Sequence, residues 1–276
     1  MTLLSYLSVF QVSGADAGTF LHAQLAASTT GLKTGECTFA AYCNAKGQVI
    51  ALLLVCRSGD DWLISIESSL AEPVMERLRK YVLRADVKIR LPEELKALGQ
   101  DAGAAGETGA TFFVPPGFPF AYHFAQSAEN PPASISAWRY RELAHGVSWL
   151  QQETSERFLP QMLGLDVLGA VSFNKGCYPG QEIIARTRYL GKLKRRPVLI
   201  EVDGLPDFAA GDDCYLNSGI QRVDSILVDG AHSIDPDGNE RTILLLVAPL
   251  DSAEPVSGIS LGQKTLPARR SLPAQR

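Results

Sequence analysis

The chain has 276 residues, 46% hydrophobic, 20% charged and 8% aromatic, enough apolar material for a sizeable core, and this excludes disorder, collagen-like fibres and coiled-coil rods. At about 100–200 residues per domain the length suits two domains. A net charge of −4 argues against a globally basic nucleic-acid binder and leaves room for a local basic patch.

Near the N-terminus, Phe20, Leu21, Gln24 and Leu25 stand at helical spacing, which predicts a helix over residues 17–27. Strands are predicted over 37–44 and 48–57, joined by the tight turn Ala45-Lys46-Gly47, and a third over 62–67. Leu70, Val74, Leu78, Tyr81 and Val82 then mark a helix face, with Ser69 as N-cap and Glu72 completing a capping box. A short strand follows over 87–91. The glycine- and alanine-rich stretch 98–109 lacks periodicity and reads as a flexible connection that extends through Pro115-Pro116-Gly117. Two short helices are expected over 140–150 and 154–163. After Pro197 the pattern becomes all-β, with strands over 197–202, 213–216, 221–228 and 241–248 at barrel spacing.

The cysteines, Cys37, Cys43, Cys56, Cys177 and Cys214, contain no C-x-x-C pair, which argues against a disulfide framework or a metal knuckle. No Lys or Arg precedes Ala17, so the apolar start lacks the positive region of a secretory signal. The longest apolar runs, 49–56 and 243–248, are strand-length rather than the ~20 residues of a membrane span. A cytoplasmic protein without a membrane partner is therefore expected. Asp235 to Glu240 imitates a calcium loop but has its glycine in the wrong place, so a hairpin turn is expected there. The four histidines show no mutual metal-ligand spacing, and no metal site is assigned.

The densest chemistry lies in Lys175-Gly176-Cys177-Tyr178-Pro179-Gly180-Gln181-Glu182, followed by Ile183-Ile184-Ala185-Arg186. A cation, a thiol, a phenol, an amide and a carboxylate around two glycines are too polar for a core element. Pro179 and Gly191 suit the start and stop of a helix over 179–190. That places Cys177 just ahead of a helix N-terminus, where unpaired N–H groups and Lys175 favour a reactive thiolate. Residues 186–196 carry six basic side chains and no acidic one, whereas 197–276 has 6 basic against 12 acidic residues. The basic run is an anion-binding rim, an RNA contact or a solvated face.

The motif resembles the signature of the YgfZ-type folate-binding proteins, relatives of the glycine-cleavage T-protein (aminomethyltransferase). The resemblance extends through Phe158-Leu159-Pro160-Gln161, Phe20-Leu21-x-x-Gln24-Leu25 and Cys43-Asn44-x-Lys46-Gly47. It implies an α+β, T-protein-like multi-domain body around a central channel, over residues 1–196, and a small C-terminal β-barrel over 197–276. It implies tetrahydrofolate, or a derivative, as bound ligand, held by Lys175, Tyr178, Gln181, Glu182, Arg186 and Gln24, with Cys177 as reactive thiol. The partners implied are iron–sulfur client or assembly proteins, with tRNA modification and nucleic acid as a weaker association. The T-protein's assisting aspartate is missing from Gly47-Gln48-Val49-Ile50-Ala51-Leu52, and its pterin-gripping glutamate falls at Met162. A competent glycine-cleavage aminomethyltransferase is therefore not expected, and folate-dependent one-carbon transfer is the alternative reading. The family's Gly, Thr and Asp after Phe20-Leu21 are replaced by Ala23, Ala26 and Ser28, and an expected arginine by Glu142, with Arg139 and Arg141 nearby.

Overall fold

The computed structural model describes residues 1–104, 111–126, 135–191, 193–218, 221–235, 237–249 and 255–271. The chain runs through β1 (Thr2–Leu3), β2 (Leu7–Ser13), α1 (Ala17–Gln24), β3 (Cys37–Cys43), β4 (Val49–Ser58), β5 (Asp61–Glu67), α2 (Ser68–Arg79) and β6 (Lys88–Arg90). The five strands β3-β4-β5-β2-β6 form one antiparallel sheet in that order. β4 is its most apolar member because its first eight residues are all buried. Such a strand reads as a continuous hydrophobic run rather than an alternation.

The β3–β4 turn is fixed by Asn44, whose Oδ1 accepts from the backbone N–H of Lys46 at 2.9 Å and of Gln48 at 3.0 Å. Gly47 closes it with a left-handed φ of 75°. At α2 the expected capping differs. Ser69 lies inside the helix, and Glu67 caps it by accepting from the Ser69 N–H at 2.8 Å. β5 runs directly into the helix, so its last residue occupies the cap position.

A second sheet, in the order β1-β7-β9-β8, contains β7 (Lys96–Asp101), β8 (Phe112–Phe113) and β9 (Phe120–Ala125). The stretch expected as a flexible connection thus contains a central strand: Leu98 pairs with Leu3 on one side and His123 on the other. Its glycine is there for packing, since a Cβ on Gly99 would lie 2.3 Å from the Trp138 ring. Residues 105–110 of that stretch lie outside the described residues.

The helices expected over 140–150 and 154–163 are also replaced. α3 (Ile135–Ala144) ends before Gly146, whose φ is 79°. Residues 151–158 form turns tied to β4, with the Val49 N–H donating to the Phe158 carbonyl at 2.8 Å. Only a 3₁₀ turn, Pro160–Leu163, is helical, because Leu159 before the proline is extended (ψ 153°) and breaks the run.

α4 (Gln181–Tyr189) precedes the all-β region, which is a closed barrel of β10 (Arg195–Asp203), β11 (Asp213–Ser218), β12 (Gln221–Ile234), β13 (Glu240–Pro249), β14 (Val256–Leu261) and β15 (Lys264–Ser271). The strand order is β10-β13-β12-β11-β14-β15, and β15 pairs back onto β10. Val198, Ile200, Leu216, Leu227, Leu246 and Ile259 belong to its own core cluster. The Asp235 region is the β12–β13 turn, where the Asp235 carboxylate accepts from the N–H groups of Asp237 and Asn239.

α3 joins barrel and body. Arg139 pairs with buried Asp229 on β12, which also accepts from the Trp149 N–H at 3.2 Å. One turn later, buried Glu142 accepts from Tyr6 Oη at 2.5 Å, Tyr122 Oη at 2.6 Å and Trp149 Nε1 at 3.0 Å. The residue standing where the family has an arginine is thus a carboxylate enclosed by three neutral donors.

Candidate functional site

The Lys175–Gln181 segment is anchored at two points. At the first, Lys175 Nζ donates to the backbone carbonyls of Leu25 at 2.6 Å and Ala27 at 3.0 Å, and to that of His22. These carbonyls terminate or follow α1, where the helix dipole is negative, so the ammonium closes the helix end. Burial lowers the Lys175 ammonium to about 8. The same burial, together with the Lys175 charge, lowers His22. Lys175 Nζ also lies 5.3 Å from the Tyr178 ring centre.

At the second point, Gly180 meets the β3–β4 turn. A Cβ on Gly180 would lie 2.5 Å from both the Asn44 carbonyl oxygen and Gly47 Cα, and its φ of 80° already favours glycine. Gly180 is the N-cap of α4, so the helix begins two residues later than the sequence suggests and Pro179 stands outside it. Ile184, the one buried residue of α4, fixes the helix inward, and its carbonyl accepts from Gln161 Nε2 at 2.8 Å.

Cys177 is exposed, ahead of the Gly180 cap, while Cys37, Cys43, Cys56 and Cys214 are buried. Burial pushes the Cys43 and Cys214 thiols up to about 12 and Cys56 well above its ordinary value. Tyr178 is buried, which raises its phenol to about 12. Among the described residues its hydroxyl has no hydrogen-bond partner, and the same holds for Gln24 Oε1 at the end of α1 and for Gln161 Oε1. Gln181 Nε2 donates to the Lys175 carbonyl at 3.2 Å. Glu182 and Arg186 are exposed, one turn apart on α4, and neither has an ion pair among the described residues.

The fold thus brings Lys175, Tyr178 and Gln181 together against the end of α1, the helix that carries Gln24, with Cys177 exposed in the same segment and Glu182 and Arg186 exposed on α4. In the basic run, Arg186, Arg188, Lys194 and Arg196 are exposed, Arg195 is half-buried, and Lys192 lies outside the described residues. Arg188 stacks on Phe173 at 4.3 Å and lies 3.7 Å from Asp166. Among the described residues no three His, Cys, Asp or Glu side chains gather as a metal site, and no helix is long and apolar enough to cross a membrane. Two residues that shape the site, Asn44 and Gln161, were visible in the sequence only as members of the family-like stretches.

No family model matches the chain. Two curated relatives, each 29% identical, are called tRNA-modifying protein YgfZ. That of Edwardsiella ictaluri matches over 67% of this chain and 65% of its own length, and that of Escherichia coli O157:H7 over 75% and 73%. The chain is a homologue of the YgfZ proteins. Among solved structures, the glycine cleavage system aminomethyltransferase T of Bartonella henselae aligns with 98% of this chain and 84% of its own, with a TM-score of 0.69 and 13% identity. The T-protein fold expected from the motif, with its C-terminal barrel, is therefore the fold of this YgfZ homologue. The Edwardsiella YgfZ match leaves about a third of that relative's length unaligned.

Proposed function

We propose that this chain is a tetrahydrofolate-binding accessory protein that supports assembly or repair of iron–sulfur enzymes, tRNA-modifying ones among them, in the cytoplasm. The observation carrying the folate reading is the pair of buried polar atoms without a partner among the described residues, on the two segments that meet, Gln24 Oε1 and Tyr178 Oη. Buried polar groups normally have partners, and the ring N–H groups and ring nitrogens of a pterin supply both kinds. Gln24 and Tyr178 would hold the ring, with Gln181 beside them, while Glu182 and Arg186 offer polar contacts from α4. Lys175 is a positioning residue, since its ammonium protons are directed at backbone carbonyls. Bound tetrahydrofolate would supply a carrier for one-carbon units at its reduced ring nitrogens.

Cys177, exposed beside this cluster, is the thiol available to an iron–sulfur client. A single thiol cannot furnish the four ligands of a resident cluster, so the cluster belongs to the client. Aminomethyl transfer is disfavoured because buried Ala51 and half-buried Met162 stand at the positions of the T-protein's carboxylates. A second reading, contact with tRNA, rests on Tyr189, 64% exposed next to Arg188 and near Arg186. An exposed aromatic among arginines is a stacking platform for an unpaired base.

Calorimetric titration with tetrahydrofolate and its 5-formyl form tests the folate reading. One binding event per chain is expected, weakened about tenfold or more in Gln24→Leu and in Tyr178→Phe. Absence of binding, or binding indifferent to both substitutions, overturns it. In cells lacking the chain, iron–sulfur enzyme activity should be restored by the native protein and not by Cys177→Ser. For the second reading, affinity for tRNA should fall steeply with salt and fall further in Tyr189→Ala.

A further inference from the structure

A cleft lies at the far end of α4 from the motif, where residues 160–167 face the barrel. Its wider chamber, about 420 Å³, is bordered by Asp166, Thr187, Arg188, Arg196 and Arg270. It shares Gly164, Val167, Pro197 and Arg270 with a narrower slot of about 150 Å³, whose walls include Leu143, Leu163, Leu199 and Leu245. The slot is apolar and its opening is cationic. Gln161, which bonds the Ile184 carbonyl of α4, also borders the chamber, whereas neither Tyr178 nor Gln24 lines the chamber or the slot.

The charge here runs against its surroundings. Residues 197–276 carry 12 acidic and 6 basic side chains, and two of the barrel arginines are paired: Arg269 with Glu201 at 3.0 Å, Arg241 with Asp235 at 4.0 Å. Arg188 faces Asp166. Arg196 and Arg270 have neither an ion pair nor a side-chain hydrogen bond among the described residues. Arg196 sits on β10 opposite Ala248 of β13, Arg270 sits on β15 opposite Ile200 of β10, and both side chains border the chamber. Guanidiniums match carboxylate and phosphate oxygens. A chamber of this size with an apolar wall and a few convergent polar groups has the character of a ligand site.

We propose that this cleft binds a small organic anion, an apolar ring or branched chain joined to one carboxylate or phosphate. The apolar part enters the slot between Leu163 and Leu245, and the anionic group meets Arg196 and Arg270. The site is independent of the folate reading, and its occupant is a second ligand of the protein.

The full chain is titrated by calorimetry with 1-naphthoate, 1-naphthyl phosphate and neutral 1-naphthol. At least one of the two anions should bind once per chain, and the tighter of them names the headgroup. Naphthol should bind at least about tenfold more weakly, and Arg196→Gln and Arg270→Gln should each weaken the anion by about tenfold. Val167→Trp, at an exposed position in the shared opening, should abolish binding by occupying it. Arg84→Gln and Gln24→Leu should leave it unchanged, and the latter separates this site from the folate cluster. Failure of both anions to bind, equal binding of naphthol, indifference to the two arginine substitutions and to Val167→Trp, or loss of binding in Gln24→Leu would each overturn the proposal.

Discussion

Lys175 Nζ lies 2.6 Å from the carbonyl oxygen of Leu25, a residue 150 positions earlier that closes helix α1. With the Ala27 and His22 carbonyls completing its acceptors, this one side chain couples the motif to the early helix. Lys175→Met leaves those carbonyls without their charged donor and should destabilise the fold by about 2–3 kcal/mol. Urea unfolding measures it, and a change below about 0.5 kcal/mol would remove Lys175 from its anchoring role.

The contact between Gly180 and the Asn44–Gly47 turn leaves no room for a side chain. Gly180→Ala should cost about 1–3 kcal/mol, from the positive φ and the clash together. Thermal unfolding should shift downward, while Gly176→Ala, with open space around its Cβ, should leave the midpoint nearly unchanged. Equal shifts would contradict the close approach.

Cys177 is the exposed thiol among five, the others being buried. Limiting iodoacetamide on native protein at neutral pH should alkylate Cys177 first, as read by peptide mass spectrometry. Addition of tetrahydrofolate should slow the labelling if the ligand sits beside Tyr178. Prior labelling of any buried cysteine would show that the sheet opens faster than the surface thiol reacts.

Burial holds the Glu142 carboxyl above its ordinary 4.5, against the pull of its Tyr122 and Tyr6 hydrogen bonds. At low pH both folded and unfolded states keep the proton. As pH rises past about 4.5 the unfolded chain releases it first, so the stability contributed by this group declines until the folded carboxyl ionises too. Glu142→Gln cannot titrate. The stability of the native protein relative to this variant should therefore shrink as pH rises above about 4.5; a constant or growing margin in chemical denaturation would reject the sign.

What the sequence determined by itself was local chemistry. Asn44 to Gln48 had turn residues that could be read directly, because an Asx side chain and a left-handed glycine act within five positions. The barrel strands over 195–249 announced themselves through short apolar runs between Asp/Gly turns, and the Lys175–Arg186 motif through its density of polar groups. The last two strands, β14 and β15, were not read, since Lys264–Ser271 is mostly exposed and carries little alternation.

Tertiary structure decided what depends on distant partners. β7 looked like a linker because Gly99 gives up its side chain to Trp138, a demand invisible within the strand itself. The run expected as a helix over 154–163 became turns because Pro160 withholds an N–H and because backbone bonds to β4 satisfy that loop instead. Lys175 reads in sequence as a ligand-binding cation, yet three carbonyls from a segment some 150 residues away claim its protons. Glu142 reads as a lost arginine, and only the enclosure by Tyr6, Tyr122 and Trp149 shows why a carboxylate is tolerated there. Residue type sets what a side chain is able to do, and the long-range packing of the backbone sets which partner takes it up.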